Sequence, residues 1–384
     1  MRKIIKNSKF FFAISIGLCV VIIAKCLIFF KNIRFGIIYS SRVGHLCHNL
    51  DVYFTKRSSN EVAIFGLQKK ISNQFILDRW KENKNIFFSK IGFYGFFFLK
   101  NFFPKDKMLI DWSEIYPNYS TVMSSKKNFN TDIVDKKKII NIIGKDITPY
   151  ICFHNRDDYY LKKEKLEDGN DHHFRNFNFN DFILPIKYIN SNNIKAVRVG
   201  RATNINFLYK NYNYFDFTNN KSSDLIDVLL INNCEFLVAS ATGLSNIASI
   251  LRKKILLVNL IPFWLREMYQ YTKGSIFLPK KIFCKKKKRL LKFCEIESLK
   301  YDIHKKNFFE KRDLFIINNT QNEILSSLKE MLEIYSSNNL KRYESKLHDK
   351  FWFSLNDKKA VKIIRHELKI NISDTFLKKN KLLI

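Results

Sequence analysis

The chain has 384 residues, 46% of them hydrophobic, which excludes a disordered polymer and leaves room for two domains with separate cores. Its 67 Lys and Arg against 35 Asp and Glu leave a formal net charge of +32, a balance that suits nucleic acid, an anionic membrane surface or a polyanionic substrate. The lysines are dispersed among abundant Asn, Ile and Phe, so an AT-rich genome accounts for the excess equally well. The seven cysteines form no C-x-x-C pair and fall largely in apolar runs, which reads as reduced core residues and not as disulfides or zinc ligands.

The first stretch, Phe10–Phe30, is apolar apart from Lys25. As a helix it would be about 31 Å long, one hydrocarbon core. Arg2, Lys3, Lys6 and Lys9 precede it, and no small-residue cleavage site is evident. Residues 1–31 therefore read as an uncleaved membrane segment, with a helix lying in the interface or folded against the protein as the alternative. Its charges are nearly balanced, so orientation stays open. Reduced-looking cysteines favour a cytoplasmic body.

Residues 32–120 carry several strand–turn–helix beginnings. Ile33–Tyr39 reads as a strand, followed by Ser40-Ser41-Arg42-Val43-Gly44-His45 turning into a helix. Glu61–Gly66 is a second strand, Gln74–Trp80 a helix, Phe87–Phe103 aromatic helical core and Met108–Ile110 a possible strand. Residues 121–148 are polar and Lys/Asn-rich, a linker or surface helix.

Residues 149–335 repeat the alternation. Tyr150–Phe153 is a strand running into His154-Asn155-Arg156-Asp157. A charged loop, Lys162–His173, leads to Arg175-Asn176 and a helix over Phe182–Ile189 that Pro185 kinks or opens. Ile194–Val199 is a strand ending in Gly200-Arg201, and Tyr214–Phe217 another. Ser223 caps a helix over Leu225–Ile231. Then Glu235–Ser240, Ala241-Thr242-Gly243, Leu244–Leu251 and Ile255–Leu260 read as strand, tight turn, helix and strand, a βαβ unit. The basic run Lys280–Lys292 is either a solvated loop or a face for anionic lipid. Thr320–Tyr335 is an amphipathic helix whose Thr320 and Glu323 match a capping box. Residues 336–384 read as a basic helical extension.

In a βαβ unit the helix N-terminus lies at the carboxyl edge of the sheet, where free N–H groups and the dipole favour an anion. Ser240, Thr242, Gly243, Leu244 and Ser245 stand at that place. Arg156, with His154 two residues before it, can grip a diphosphate, and Arg198 and Arg201 flank the next strand end. Asp216 could accept from a ribose or simply cap a turn. Arg42, Gly44 and His45 form a corresponding turn in the first half. No Walker or G-x-G-x-x-G pattern, nucleophile elbow or acidic D-x-D pair accompanies them. An ordinary crossover with a small-residue turn fits the local sequence as well.

Taken together, these segments resemble a bacterial family of little-characterised glycosyltransferases. The resemblance lies in Ser41-Arg42-Val43-Gly44-His45, His154-Asn155-Arg156-Asp157, Arg175-Asn176, Val197-Arg198-Val199-Gly200, Asp216-Phe217, Ser223-Asp224, Thr242-Gly243-Leu244 and Asn259, and spans residues 33–335. Thr242 stands where the family pattern has Ser. That family is similar to two-Rossmann-domain transferases of the fucosyltransferase-like branch, where an H-x-R motif contacts the nucleotide diphosphate. The resemblance implies an α/β fold of two facing Rossmann-like domains (GT-B-like), with 32–120 taking the acceptor and 149–335 a nucleotide sugar. The missing D-x-D pair points to a metal-independent site without cofactor, and the anchor and basic run to a surface-glycan or lipid-linked acceptor, with Arg156 as a catalytic cation and His45 as either the base or a positioning group. The rival reading is a non-enzymatic basic protein bound to anionic lipid or nucleic acid, although no specific nucleic acid is expected.

Overall fold

The computed structural model describes residues 2–27, 32–68, 70–115, 119–131, 136–159, 162, 172–201, 207–218, 223–261, 263–305, 307–337 and 343–384. Most of the expected loop at 162–173 lies outside them. The fold is α/β with parallel sheets and an apolar N-terminal helix, and the chain divides into two compact units, Met1–Asn130 and Thr131–Ile384.

In the first unit, β1 (Asn32–Ile38), β2 (Glu61–Leu67) and β3 (Ile86–Phe88) form a parallel sheet in that order. Leu109 adds a single bridge to Phe35 where the sequence suggests a strand. The aromatic stretch divides into β3 and a helix, Lys90–Phe102. That helix presses onto the sheet at two glycines: a Cβ on Gly92 would lie 2.6 Å from the Ile64 carbonyl oxygen, and one on Gly95 2.6 Å from the Phe35 ring. The N-terminal helix, Arg2–Leu27, packs against the same helix.

The second unit is built on seven strands: β4 (Tyr150–His154), β5 (Lys195–Arg198), β6 (Tyr214–Asp216), β7 (Leu237–Ala239), β8 (Ile255–Leu260), β9 (Ile276–Pro279) and β13 (Asn371–Ile372). Their spatial order is β13-β9-β8-β7-β4-β5-β6, and every pairing is parallel. β4, β7 and β8 are apolar almost throughout because helices cover both faces. The strands β10 (Lys281–Cys284), β11 (Arg289–Leu290) and β12 (Leu314–Ile317) make a separate antiparallel sheet.

The local signals for helices act as expected. Ser223 Oγ accepts from Ile226 N–H at 3.1 Å to start Asp224–Asn233. Thr320 Oγ1 accepts from Glu323 N–H at 3.2 Å, while Glu323 Oε2 accepts from Thr320 N–H at 2.8 Å, closing the capping box of Gln321–Ser337. Pro185 causes no kink. It sits in the first turn of Ile183–Ser191, where its missing N–H has no helical partner to lose.

One expectation is revised and another is narrowed. Residues 343–384 are not an appended helical extension. Their apolar positions, among them Phe351, Trp352, Leu368 and Ile372, are buried in the second unit, and β13 joins its sheet beside β9. The basic run 280–292 divides: Lys280 and Lys281 are drawn into the fold, while Lys285, Lys286, Lys287, Lys288 and Arg289 stay exposed, as the solvated reading expects. It folds into β10 and β11, with Lys281 paired to Glu323 at 2.6 Å, Lys287 to Glu295 at 2.5 Å and Arg289 to Glu295 at 2.8 Å.

Candidate functional site

In the second unit, consecutive strands run outward from β4 through β5 to β6. The chain then returns to the other side of β4 and continues outward through β7, β8 and β9. The order therefore reverses between β4 and β7, and a crevice opens beyond the carboxyl ends of those two strands. His154 pairs in register with Ala239, so His154-Asn155-Arg156 and Ser240-Ala241-Thr242-Gly243 leave the sheet side by side.

The helix Gly243–Ile250 begins at this crevice. Ser245 Oγ accepts from Thr242 N–H at 3.0 Å and donates to the Thr242 carbonyl at 2.7 Å, so Ser245 closes the turn and is not free to meet a ligand. Ser240 Oγ and Thr242 Oγ1 are buried and have no hydrogen-bond partner among the described residues. Two orphaned hydroxyls beside a helix N-terminus are donors waiting for an acceptor.

The cations divide into two groups. Arg175 reaches from the turn His173–Arg175 to donate to the Ala241 carbonyl, immediately ahead of the helix start. Arg156 stays close to the same segment, since its carbonyl accepts from Phe177 N–H at 3.3 Å, and Asn155 Nδ2 donates to the Phe177 carbonyl at 3.0 Å. Arg198 and Arg201 are engaged elsewhere. Arg198 is 2% exposed, lies 4.0 Å over the Phe179 ring and pairs with Asp216 at 3.4 Å. Arg201 pairs with Asp224. Arg198 and Asp216 thus hold β5 to β6. Asp157 Oδ1 accepts from Tyr159 N–H at 3.0 Å, capping its own turn.

His154 is engaged through one ring nitrogen. Its Nδ1 donates to the Val199 carbonyl at 3.0 Å, and burial pushes its pKa down to about 4, so Nε2 is an unprotonated acceptor at neutral pH. The turn after β5 is shaped to admit it. Gly200 has φ +117°, a Cβ there would lie 2.8 Å from His154 Nδ1, and Gly200 N–H donates to the buried Asp227 at 3.0 Å. Gly200→Ala is expected to lower stability by about 1–3 kcal/mol, read as a drop in the urea midpoint.

Lys280, which the sequence hides inside a basic run, is a buried cation beside this segment that motif reading misses. It follows β9 directly, is 2% exposed, and donates to the carbonyls of Phe174 at 2.9 Å and Asn176 at 2.7 Å. It thereby holds the segment that carries Arg175 and Asn176. Burial lowers its pKa to about 7, with Asp181 opposing and Arg175 reinforcing the shift. An open cavity of about 290 Å³ lies beside it, bordered by His173, Asn176, Asn307 and Phe309. Asn176 Oδ1 is buried with no partner among the described residues. The family-pattern residue Asn259 locks two strand ends. At φ 51° it accepts from Asn319 N–H at 2.7 Å and donates its own N–H to Asn319 Oδ1 at 2.6 Å.

In the first unit, Arg42 occupies the N-cap position of the helix Val43–Lys56 without a side-chain cap, and Gly44 and His45 lie in its first turn. Asn49 Nδ2 donates to the Ile115 carbonyl at 3.1 Å, which fixes the amide so that its oxygen faces His45 Nδ1 at 3.2 Å. Nδ1 is therefore the protonated nitrogen. Burial lowers the pKa of His45, against the Asn49 bond, and Arg42 lowers it further. His45 sits among the rings of Tyr39, His48 and Trp112. Among the described residues no cluster of three or more His, Cys, Asp or Glu is placed to hold a metal ion.

No family model and no curated protein matches this sequence. Among solved structures the chain is similar to the ADP-heptose lipopolysaccharide heptosyltransferase II of E. coli, at 12% identity and a TM-score of 0.48, covering 79% of this chain and 100% of that one. It is similar to a glycosyl transferase of family 9 from Veillonella parvula, at 12% identity and a TM-score of 0.42, covering 65% and 86%. It is also similar to the E. coli heptosyltransferase WaaC with ADP, at 12% identity and a TM-score of 0.31, covering 59% and 87%.

Proposed function

We propose that the second unit binds the diphosphate of a nucleotide sugar and that the protein is a glycosyltransferase of GT-B type. One observation supports this reading: where the strand order reverses between β4 and β7, Arg175 reaches the Ala241 carbonyl ahead of the helix Gly243–Ile250, the hydroxyls of Ser240 and Thr242 are buried there without a partner among the described residues, and the segment bearing Arg156 leaves the neighbouring strand. When the sugar leaves, charge builds on the diphosphate. Two guanidinium groups and a helix N-terminus stabilise that charge without a metal. The transferred sugar is a hexose or a related sugar such as fucose.

The first unit takes the acceptor, a surface glycan or lipid-linked precursor of the lipopolysaccharide kind. Neutral His45, with its Nδ1 proton held by Asn49, keeps Nε2 to accept the acceptor hydroxyl's proton. The N-terminal helix holds the enzyme at the membrane, with the body on the cytoplasmic side where nucleotide sugars are made.

A thermal-shift panel of nucleoside diphosphates, with and without a metal chelator, tests the reading. At least one nucleotide is expected to raise the melting temperature by several degrees, and the chelator to leave that rise intact. A flat panel would refute the donor site, as a purely lipid-binding or nucleic-acid-binding protein requires.

A further inference from the structure

We propose that the first unit attaches to an anionic lipid surface through two helices together, Arg2–Leu27 lying along the membrane with Lys90–Phe102 and the loop after it inserted beside it. This deepens the membrane association proposed above by replacing a spanning anchor with a surface platform.

The N-terminal helix contains a 19-residue apolar segment, Lys9–Leu27, of mean hydropathy 2.5. By length alone it could span a bilayer. Its packing argues otherwise. Ala13, Gly17, Val21 and Ala24 form one stripe at helical spacing, and this stripe is buried against the unit. A Cβ on Gly17 would lie 2.6 Å from both Phe98 Cβ and the Tyr94 carbonyl oxygen, so the two helix backbones touch. Val21 and Ala24 share a core with Phe98, Leu99 and with Ile33 and Phe35 of the sheet. Near one end Phe10 meets the Phe97 ring at 5.6 Å, and near the other Lys25 pairs with Asp106 at 3.5 Å and lies over the Phe103 ring. A helix packed on Lys90–Phe102, which itself presses onto a parallel sheet, cannot cross the hydrocarbon without dragging polar backbone edges in with it.

The opposite face is bare. Phe11, Phe12, Ile22 and Ile23 are 51–66% exposed. The second helix and its loop continue the patch with Ile91, Phe102 and Phe103, all about half exposed. An apolar surface of this kind marks a lipid or partner contact. The charges select anionic lipid. Residues 1–50 contain eight Lys and Arg and no Asp or Glu, and 83–105 add four Lys; Lys25 pairs with Asp106, Arg34 with Glu114 and Lys100 with Asp111, and the other nine leave the sequence of these segments basic. A basic excess of this kind is drawn to anionic headgroups.

The test uses the full chain with a different tag at each end, made in the presence of vesicles of phosphatidylcholine and phosphatidylglycerol. The protein is expected to co-sediment, with both tags open to added protease and at least tenfold weaker binding to pure phosphatidylcholine. A double variant, Phe12→Asp with Ile91→Asp, at one exposed position on each helix, is expected to lose at least tenfold in vesicle affinity while its urea midpoint is unchanged. Protection of the N-terminal tag alone would overturn the platform in favour of a spanning helix. Native affinity in the double variant, or equal binding to neutral vesicles, would overturn it as well. Failure to bind any vesicle would remove membrane association altogether and leave the nucleotide reading standing.

Discussion

Arg175→Ala is expected to weaken nucleoside-diphosphate binding about 10- to 100-fold, measured by titration calorimetry. A hydrogen bond from a charged donor contributes about 1.5–3 kcal/mol, which converts to that range. Arg175 warrants the estimate because it is already held at the helix start through the Ala241 carbonyl, so little ordering is left to be done on binding. Arg156→Ala should cost a similar amount. Arg156→Lys should recover only part of it, because an ammonium cannot present the planar fork that matches a diphosphate. The two losses should not sum in the double variant, since both groups meet one ligand. Arg201→Ala is the internal control: its guanidinium is engaged by Asp224, and affinity should change less than threefold. If Arg175→Ala binds like the native protein, no diphosphate lies at this crevice.

The second large effect concerns Lys280 and has a defined sign. Its pKa is about 7 in the folded protein against 10.5 for the free side chain. A depressed lysine pKa means that folding disfavours the charged form. Below pH 7 the full cost of burying the ammonium is present. Between pH 7 and 10.5 the unfolded chain binds the extra proton, so this cost falls and stability rises with pH. Above 10.5 both states are neutral and the cost is gone. The full span is about 5 kcal/mol, or about 1.4 kcal/mol for each pH unit in the window.

Lys280→Met removes the titration along with the donors to Phe174 and Asn176. The native protein is therefore expected to gain on the variant steadily between pH 7 and 10 in urea unfolding. Parallel stability curves over that range would show that Lys280 does not titrate there. Because Lys280 also holds the segment bearing Arg175, the variant should bind nucleoside diphosphate more weakly than the native chain at pH 7, where its stability relative to the native protein is highest.

How much of this could be read from the residues alone depended on how local each cause is. The strands of the second unit were legible because a strand covered on both faces is a short unbroken apolar run, as in Ile255–Leu260, whose predicted and observed ends coincide. Helix starts were legible because Ser223, and Thr320 with Glu323, act over three residues. The turn Thr242-Gly243 and the segment His154-Asn155-Arg156 could each be singled out, since small residues and cations after an apolar run carry their own signal.

The remaining properties depend on residues distant in sequence. Arg198 and Arg175 are the same residue type in similar-looking sequence, yet one is buried against Phe179 and Asp216 while the other reaches Ala241, 66 positions away. Lys280 looks like the first of many solvated lysines until the chain brings two carbonyls from 104 and 106 positions earlier onto its amine. The last forty residues read as a basic appendage because their apolar positions are scattered, and only packing beside β9 turns them into core. The sequence by itself determined the alternation of strands and helices, because hydrophobic spacing and end-capping are short-range. Only the tertiary structure decided which cations, hydroxyls and amides share the crevice beside β4, because sheet order is settled by contacts between segments tens of residues apart.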